Sequence, residues 1–466
     1  MKTKNIPNLK KFLSISLIFI MMLCQNQLFV EAFWFISSKE KVDDMPKKFE
    51  YVNIGWWNNF SDPYIKKYIM KSIENNEDLK VATLKTYEYM QFVKDAFGKE
   101  LPELSVGSNY LGIKMPYSRD RALNISDNGY TLPFTVKYEA DLLLKNHDKT
   151  KIAKKQYEAQ VWQEKATYIS VASYVATVYV NILKTDKLIE LQSNYADIKK
   201  EQLQRVELKH RRGLASSIEV NNYKDAYKIA LNNLDGYKKS RDILLHQFCV
   251  LIGDSPNNAG CIERGRFDDL HFCGVMPDCV PSDVIFARPD VEAVESQLQA
   301  AKIDIRVARK ELFPTFNIYG VLGFNTLTTE PFFSWSGAFA YLTAGATQTL
   351  FAGGRKIANL RLKKNIYEQM FENYRQANLK AVQEVNDSLR SVKIDTDVDN
   401  QNLNRQKIEE NTFIRMSKKY DRGVISMPDL LSEQERLIGV QIEKVNSKAT
   451  RFANYLSLYK AVGGKL

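Results

Sequence analysis

Turn-forming residues are scarce in this chain. Its 466 residues include 21 Gly and 13 Pro, about 7% together where about 12% is usual. Few turn formers mean few turns, so the elements must be long. That weighs against the three ordinary domains that about 150 residues per domain would give. Histidine is scarcer still: His147, His210, His246 and His271 lie in charged or unremarkable surroundings. No nucleophile elbow, phosphate loop or paired-carboxylate constellation accompanies them. No enzyme and no cofactor is expected. The five cysteines show no CxxC spacing and the histidines no HxxxH spacing, so a metal site is not expected.

Other compositional absences narrow the class. With 44% hydrophobic and 26% charged residues the chain is not disordered throughout. A mean hydropathy of -0.35 excludes a polytopic helical membrane protein. The net charge is +11, and Lys2, Lys4, Lys10 and Lys11 supply four of those charges in a leader-like segment. The remaining excess forms no basic patch. It reads as a solvated surface, and nucleic acid is not an expected partner.

Those lysines precede an uncharged apolar run at residues 12–23. The run is too short to span a bilayer and suits a signal-peptide core. Two endings compete. Val30-Glu31-Ala32 fits cleavage after Ala32, giving a leader of 1–32. Met21-Met22-Leu23-Cys24 resembles a lipobox, which would end the leader at 23 and place a lipid on Cys24. Either way the mature chain is exported. Export permits disulfides. Cys249 reads as part of a buried helix end, and one disulfide is expected among Cys261, Cys273 and Cys279, in a Gly- and Pro-bearing loop.

Residues about 211 apart repeat one another. Glu77-Asp78-Leu79-Lys80 answers Pro289-Asp290-Val291-Glu292, and Leu101-Pro102 answers Phe313-Pro314. Arg212-Gly213-Leu214-Ala215-Ser216 answers Arg422-Gly423-Val424-Ile425-Ser426, and residues 248–253 answer 459–464. The same order at one offset predicts an internal duplication: repeat 1 at about 60–253, repeat 2 at about 286–464, within one fold over 33–466.

Each copy follows one plan. A helical stretch comes first, at about 62–98 in the first copy, opened by Asp62-Pro63; Arg288-Pro289-Asp290 opens the second similarly. Strand hairpins follow at about 101–142 and 313–350. Residues 142–212 and 355–422 then contain neither Gly nor Pro. A continuous helix of that length is roughly 100 Å long. Leu188, Leu191, Tyr195 and Ile198, and again Val445, Ala449, Phe452, Leu456 and Tyr459, have coiled-coil spacing, so the helices should lie side by side. The chain should reverse at Gly213 and Gly423. The uncharged stretch 166–183 is diluted by Thr, Ser and Asn, and reads as a helix-packing seam.

The strand segments alternate. Phe134, Val136, Tyr138, Ala140 and Leu142 face one way; Lys137, Glu139 and Asp141 face the other. Residues 104–113, 317–324 and 338–350 are the other three segments. Such a sheet either has one wet face or faces lipid on one side and a lumen on the other, and the flanking aromatics, among them Tyr110, Tyr117, Tyr130, Phe332, Phe333, Trp335, Phe339 and Tyr341, suit an interfacial girdle. Four strands cannot close a barrel, and a bilayer does not tolerate open edges, so closure must come from symmetry-related copies.

The whole pattern resembles the TolC-type outer-membrane efflux family, in particular the lipoprotein-like channels of resistance-nodulation-division pumps. The segments that carry the likeness are Trp56-Trp57-Asn58-Asn59-Phe60-Ser61-Asp62-Pro63, Asn75-Asn76-Glu77-Asp78-Leu79, Arg288-Pro289-Asp290-Val291, Ala308-Arg309-Lys310-Glu311-Leu312-Phe313-Pro314, and Thr349-Leu350-Phe351-Ala352-Gly353-Gly354-Arg355, ending at 459–464. The resemblance implies an α+β fold: a trimeric outer-membrane β-barrel, four strands per chain, continuous with a long α-helical coiled-coil periplasmic tunnel. It implies an exit duct in the outer membrane and periplasm, exporting small molecules such as drugs. Its implied partners are two further copies in a homotrimer, a periplasmic adaptor (membrane fusion) protein, an inner-membrane pump and outer-membrane lipid.

The resemblance also assigns residues. Tyr420 and Glu219 fall where the family links neighbouring helix pairs at the periplasmic gate. Asp429 falls where a pore-facing aspartate makes an acidic ring, which would favour cations; a plain helix N-cap after Pro428 is the alternative. Ser432 stands where a second acid is frequent, and Ile425 where a basic latch is expected. Arg212, Gly213, Arg422 and Gly423 would form adaptor-docking tips, although a C-cap glycine after a cation already explains each pair. Two other functions compete: the outer-membrane component of type I protein secretion, and a periplasmic coiled-coil adaptor or structural protein without a pore.

Overall fold

A computed structural model describes residues 48–114, 126–325 and 338–465. The leader, Cys24 and Ala32 lie outside the described residues, as do Tyr117, Phe332, Phe333 and Trp335.

The first helical stretch is two helices, α1 (Pro63–Asn75) and α2 (Glu77–Gly98), where one was expected. Asn76 makes the break. It is extended at ψ 128°, ends α1 and N-caps α2 by accepting from the Leu79 amide. Its side-chain amide also donates to the Leu251 carbonyl at 2.8 Å, and Ser72 Oγ donates to the same oxygen. Asp62 caps α1 as expected, through the Tyr64 amide.

Two hairpins follow the helices. The first joins β1 (Glu103–Val106) and β2 (Asn109–Lys114) to β3 (Ser126–Ala140); the second is β4 (Thr315–Asn325) with β5 (Ala338–Thr347). β1 and β2 hold one common register on β3 and part opposite Pro133, which has no amide hydrogen to give. β3 pairs with β4, so all form one antiparallel sheet with β1/β2 and β5 at its edges. β3 ends at Ala140 and β5 at Thr347, short of Leu142 and Leu350.

After each hairpin runs a 67-residue helix, α3 (Lys145–Arg211) or α7 (Arg355–Asp421). At 1.5 Å per residue each is about 100 Å long. Each reverses into a 35-residue helix, α4 (Ser217–Leu251) or α8 (Met427–Ala461). Between them lie the short α5 (Ser282–Phe286) and α6 (Pro289–Lys310). Asp141 nucleates α3 by accepting from the Lys145 and His147 amides, although Leu144 holds a left-handed φ of 55°. Side by side lie α2, α3, α6 and α7 toward the sheet, and α3, α4, α7 and α8 toward the reversals.

The core sits at mid-height. The heptad-spaced Leu188, Leu191 and Ile198 are buried, as are Val445, Ala449, Phe452, Leu456 and Tyr459. So is most of the uncharged stretch in α3, including Tyr168, Ile169, Ala172, Val175, Tyr179 and Ile182. That stretch is the expected seam between helices. A strap of residues 48–60 lies over it, with Trp56 stacked 4.4 Å from Tyr459. Lys48 of the strap reaches the fully buried Glu164, whose carboxylate also accepts from Thr83 and Thr86.

The cysteine expectation is corrected. Cys249 is buried as read, but all four described cysteines are free thiols. Two of the three in the loop are tied to different neighbours: Cys261 closes a short turn after α4, and Cys273 donates its amide to the Asn59 carbonyl of the strap.

Candidate functional site: the hairpin tips

At each reversal the same local chemistry recurs. Gly213 (φ 74°) and Gly423 (φ 73°) supply the left-handed residue. The amides of Leu214 and Val424 reach back to the carbonyls of Lys209 and Lys419, each at 2.9 Å. Those of Gly213 and Gly423 reach His210 and Tyr420. These are paired Schellman closures, and a Cβ at either glycine would force the strained conformation. Arg212 and Arg422 are the exposed C-caps, and Lys209 and Arg211, or Lys418 and Lys419, put positive charge on the helix ends. Three residues further on, Ser216 and Ser426 cap the returning helices.

Asp429 is exposed and takes part in that capping. It is not the N-cap itself, as the alternative reading had it; Ser426 is. Asp429 occupies the third helical position and closes a capping box, accepting from the Ser426 amide at 3.1 Å and from its hydroxyl at 2.5 Å. Those two bonds hold its carboxyl below the usual carboxylate range, so it is charged at neutral pH. Glu219 occupies the same position of α4 but lends only its amide, to Ser216, at 3.1 Å. Its carboxylate has no hydrogen-bond partner among the described residues.

Tyr420 lies in the last turn of α7. Its hydroxyl and the Glu219 carboxylate make no hydrogen bond within this chain among the described residues, and the two are not brought together in one copy.

Two features of the tips escaped the sequence reading. Leu214, Ile218 and Val424 are 73%, 71% and 67% exposed, so both turns present apolar side chains among the cations. The signal was present in Gly213-Leu214 and Gly423-Val424, but a C-cap explains the glycine without asking where its neighbour points. The second is a cross-link above the tips. Glu435 of α8 accepts from Lys199 at 2.7 Å and Gln202 at 2.6 Å, both on α3, so the two hairpins are fastened to each other. No local pattern announces a contact over 236 residues of sequence separation.

At the opposite end of α3 and α7, the sheet register sorts the side chains. Leu104, Val136, Gly320 and Leu342 form one row, and Val106, Phe134, Leu322 and Ala340 the next. Tyr138, Ile318 and Ala344, then Ala140, Phe316 and Ala346, continue that face. These four rows carry no charged side chain. The reverse face has Ser105, Thr135, Val321 and Tyr341 in one row and Glu103, Lys137, Tyr319 and Thr343 in another. The apolar face is open: Leu104 is 73% and Leu342 75% exposed in the single chain.

Comparison with known proteins agrees with this geometry. The family described as outer membrane efflux protein matches residues 68–253 and 280–464. The pyoverdine export outer membrane protein OpmQ of Pseudomonas aeruginosa is 24% identical over 418 residues, spanning 88% of this chain and 87% of the relative. The cation efflux system protein CusC of Escherichia coli is 23% identical over 434 residues, with 89% of each chain covered. In fold, the Campylobacter jejuni CmeC outer membrane channel superposes with a TM-score of 0.80 at 18% identity, covering 89% of this chain and 88% of that one. These likenesses favour efflux over the secretion and non-channel readings, and the chain belongs to the outer membrane efflux protein family.

Proposed function

We propose that three copies of this chain close into one export duct, a twelve-stranded barrel in the outer membrane continuous with a helical periplasmic tunnel. The sheet carries this reading. One face is apolar over the four rows from Phe134 to Ala140, the other is polar and aromatic, and the outer edges of β1/β2 and β5 have no partner among the described residues. A soluble sheet would lose stability by leaving such a face in water. A barrel in lipid puts it where apolar side chains belong, and copies placed edge to edge remove the open edges. The helices repeat the argument. Ile357, Phe371, Leu379, Ile394 and Ile408 of α7 are exposed at intervals of 14, 8, 15 and 14 residues, near multiples of seven. At the other margin of the helix row, α4 exposes Ile229 and Ile243. Two unpartnered apolar margins suit a ring of copies.

The tips then form the periplasmic end. Tyr420 of one copy would meet the free carboxylate of Glu219 in the next, and three Asp429 carboxylates would ring the axis as a cation-favouring constriction. Leu214, Val424 and the arginines Arg212 and Arg422 give an adaptor an apolar and cationic docking surface around Gly213 and Gly423. An inner-membrane pump would deliver cargo through that adaptor. The relatives' names span pyoverdine, toluene and cations, so cargo is chosen upstream of a wide duct. The leader would end at Ala32, or at 23 with a lipid on Cys24. The two family matches support reading 33–466 as one duplicated fold.

Reconstitution into planar bilayers tests the reading. Single-channel steps of trimer size are expected, and a purified protein that never inserts overturns it.

A further inference from the structure

The tunnel wall holds a hollow of about 450 Å³, lined by α2, α3, α6 and α7 together. The buried Ala159 and Ala300 are small and leave the space between the helices. Its walls carry four primary amides, Gln156, Gln160 and Gln163 of α3 and Gln297 of α6. None of these amide groups has a hydrogen-bond partner within the chain among the described residues. Phe92, 48% exposed, stands edge-on to Tyr89 at 5.7 Å and forms an aromatic ledge on one side. Asp304 is the charged lining residue, and it is matched by Lys363 at 2.7 Å. The hollow is therefore close to neutral, rich in donors and acceptors, and bounded by aromatic surface.

Helix geometry says which way it opens. Lys145, at the start of α3, pairs at 2.5 Å with Glu139 on the polar face of the sheet. Ile152, Gln156 and Gln163 follow Lys145 by 7, 11 and 18 residues, close to whole numbers of 3.6-residue turns. They extend the polar sheet face down the helix. Lys165 and Tyr168 fall near half-turn positions and meet Tyr51 of the strap instead. The hollow and the strap thus lie on opposite sides of α3.

We infer that this hollow is a solute-contact site inside the duct, taking neutral, aromatic-bearing molecules that carry amide or hydroxyl groups. The inference rests on the duct reading, which makes the polar sheet face luminal. Its volume is that of a drug-sized ligand. Open on one side and with its one acid paired, it holds such a molecule briefly, as conduction requires: binding strong enough to admit a solute and weak enough to release it. Three copies would set a belt of such sites between the barrel and the mid-height core.

Single-channel recording with N-acetyltryptophanamide as the probe tests this. The native channel should show brief probe-dependent blockades, and the anion N-acetyltryptophan should give fewer. A Gln156→Leu, Gln160→Leu double variant should shorten the blockades about thirtyfold, given roughly 1 kcal/mol for each of two lost hydrogen bonds. Phe92→Ala should shorten them about fivefold by removing the stacking surface. Unitary conductance should be unchanged in both, and Lys154→Gln, half a turn away on α3, should leave the blockades as they are. A conducting native channel without blockades, or blockades unaltered by both luminal variants, overturns the site and leaves the duct intact. Absence of any conductance overturns the duct, and the site falls with it.

Discussion

Leucine 342 offers the sharpest test of where the sheet lives. It stands midway along β5, in the row with Leu104, Val136 and Gly320, and is 75% exposed in the single chain. Were that face wet, Leu342→Lys would place a charge where water already reaches, and would change stability by less than about 0.5 kcal/mol. Facing lipid, the same lysine costs about 2–4 kcal/mol near the bilayer midplane. Three copies raise that to about 6–12 kcal/mol per assembly. The neighbouring Thr343 points to the opposite face, in the row with Glu103, Lys137 and Tyr319, so Thr343→Lys joins residues that are already polar and should cost little. Urea-dependent refolding into lipid vesicles, followed by the heat-modifiable gel mobility of the assembled protein, measures both. Leu342→Lys should lower the folded fraction at every urea concentration while Thr343→Lys tracks the native protein. Equal behaviour of the two variants, in either direction, would refute the assignment of faces and with it the barrel.

Glycine substitutions separate backbone strain from crowding. A Cβ on Gly253 (φ 68°) would sit 2.4 Å from the Asn75 carbonyl oxygen, whereas one on Gly213 (φ 74°) meets nothing. Gly213→Ala should cost only the left-handed penalty of about 1–2 kcal/mol, and Gly253→Ala about 1–3 kcal/mol more, because the α1–α2 junction must move; thermal unfolding in detergent ranks them. At the tip, Asp429→Asn should weaken channel block by multivalent cations, and unchanged block would count against the acidic ring. A pH dependence follows from Lys448, which is buried and donates to the carbonyls of Phe267 and Asp268. Burial, with Lys444 and Arg451 nearby, lowers its pKa to about 8. Between pH 8 and the unfolded value near 10.5 the unfolded chain binds the extra proton, so this group's contribution to stability rises with pH across that window and is flat below it. Native protein should therefore gain roughly 3 kcal/mol relative to Lys448→Met from pH 8 to 10.5, measured by chemical denaturation.

Much of the molecule was legible from local pattern. Residues 142–212 and 355–422 lack helix breakers, and helices of 67 residues fill them. Arg212-Gly213 and Arg422-Gly423 marked the reversals because only a left-handed residue closes a helix end that way. Alternation in 134–140 gave the strand and its two faces. Two features were settled by contacts that the local pattern does not show. Asn76 breaks the first helix because it is bonded to the Leu251 carbonyl, 175 residues away. The N-cap of α8 is Ser426, three residues before Asp429, whose carboxylate closes a box around it.

The sequence by itself determined which segments are helix, strand and turn, because propensity, periodicity and the placement of glycine act within a few residues. Tertiary structure alone decided that four short alternating segments share one register, so that their apolar sides merge into a single face. It alone decided that Glu164 is buried beneath Lys48, that Glu435 ties one hairpin to the other, and that four glutamines from two helices share a hollow. Each of these joins groups far apart in the chain, and the free energy that holds them comes from burial and pairing that no local window contains.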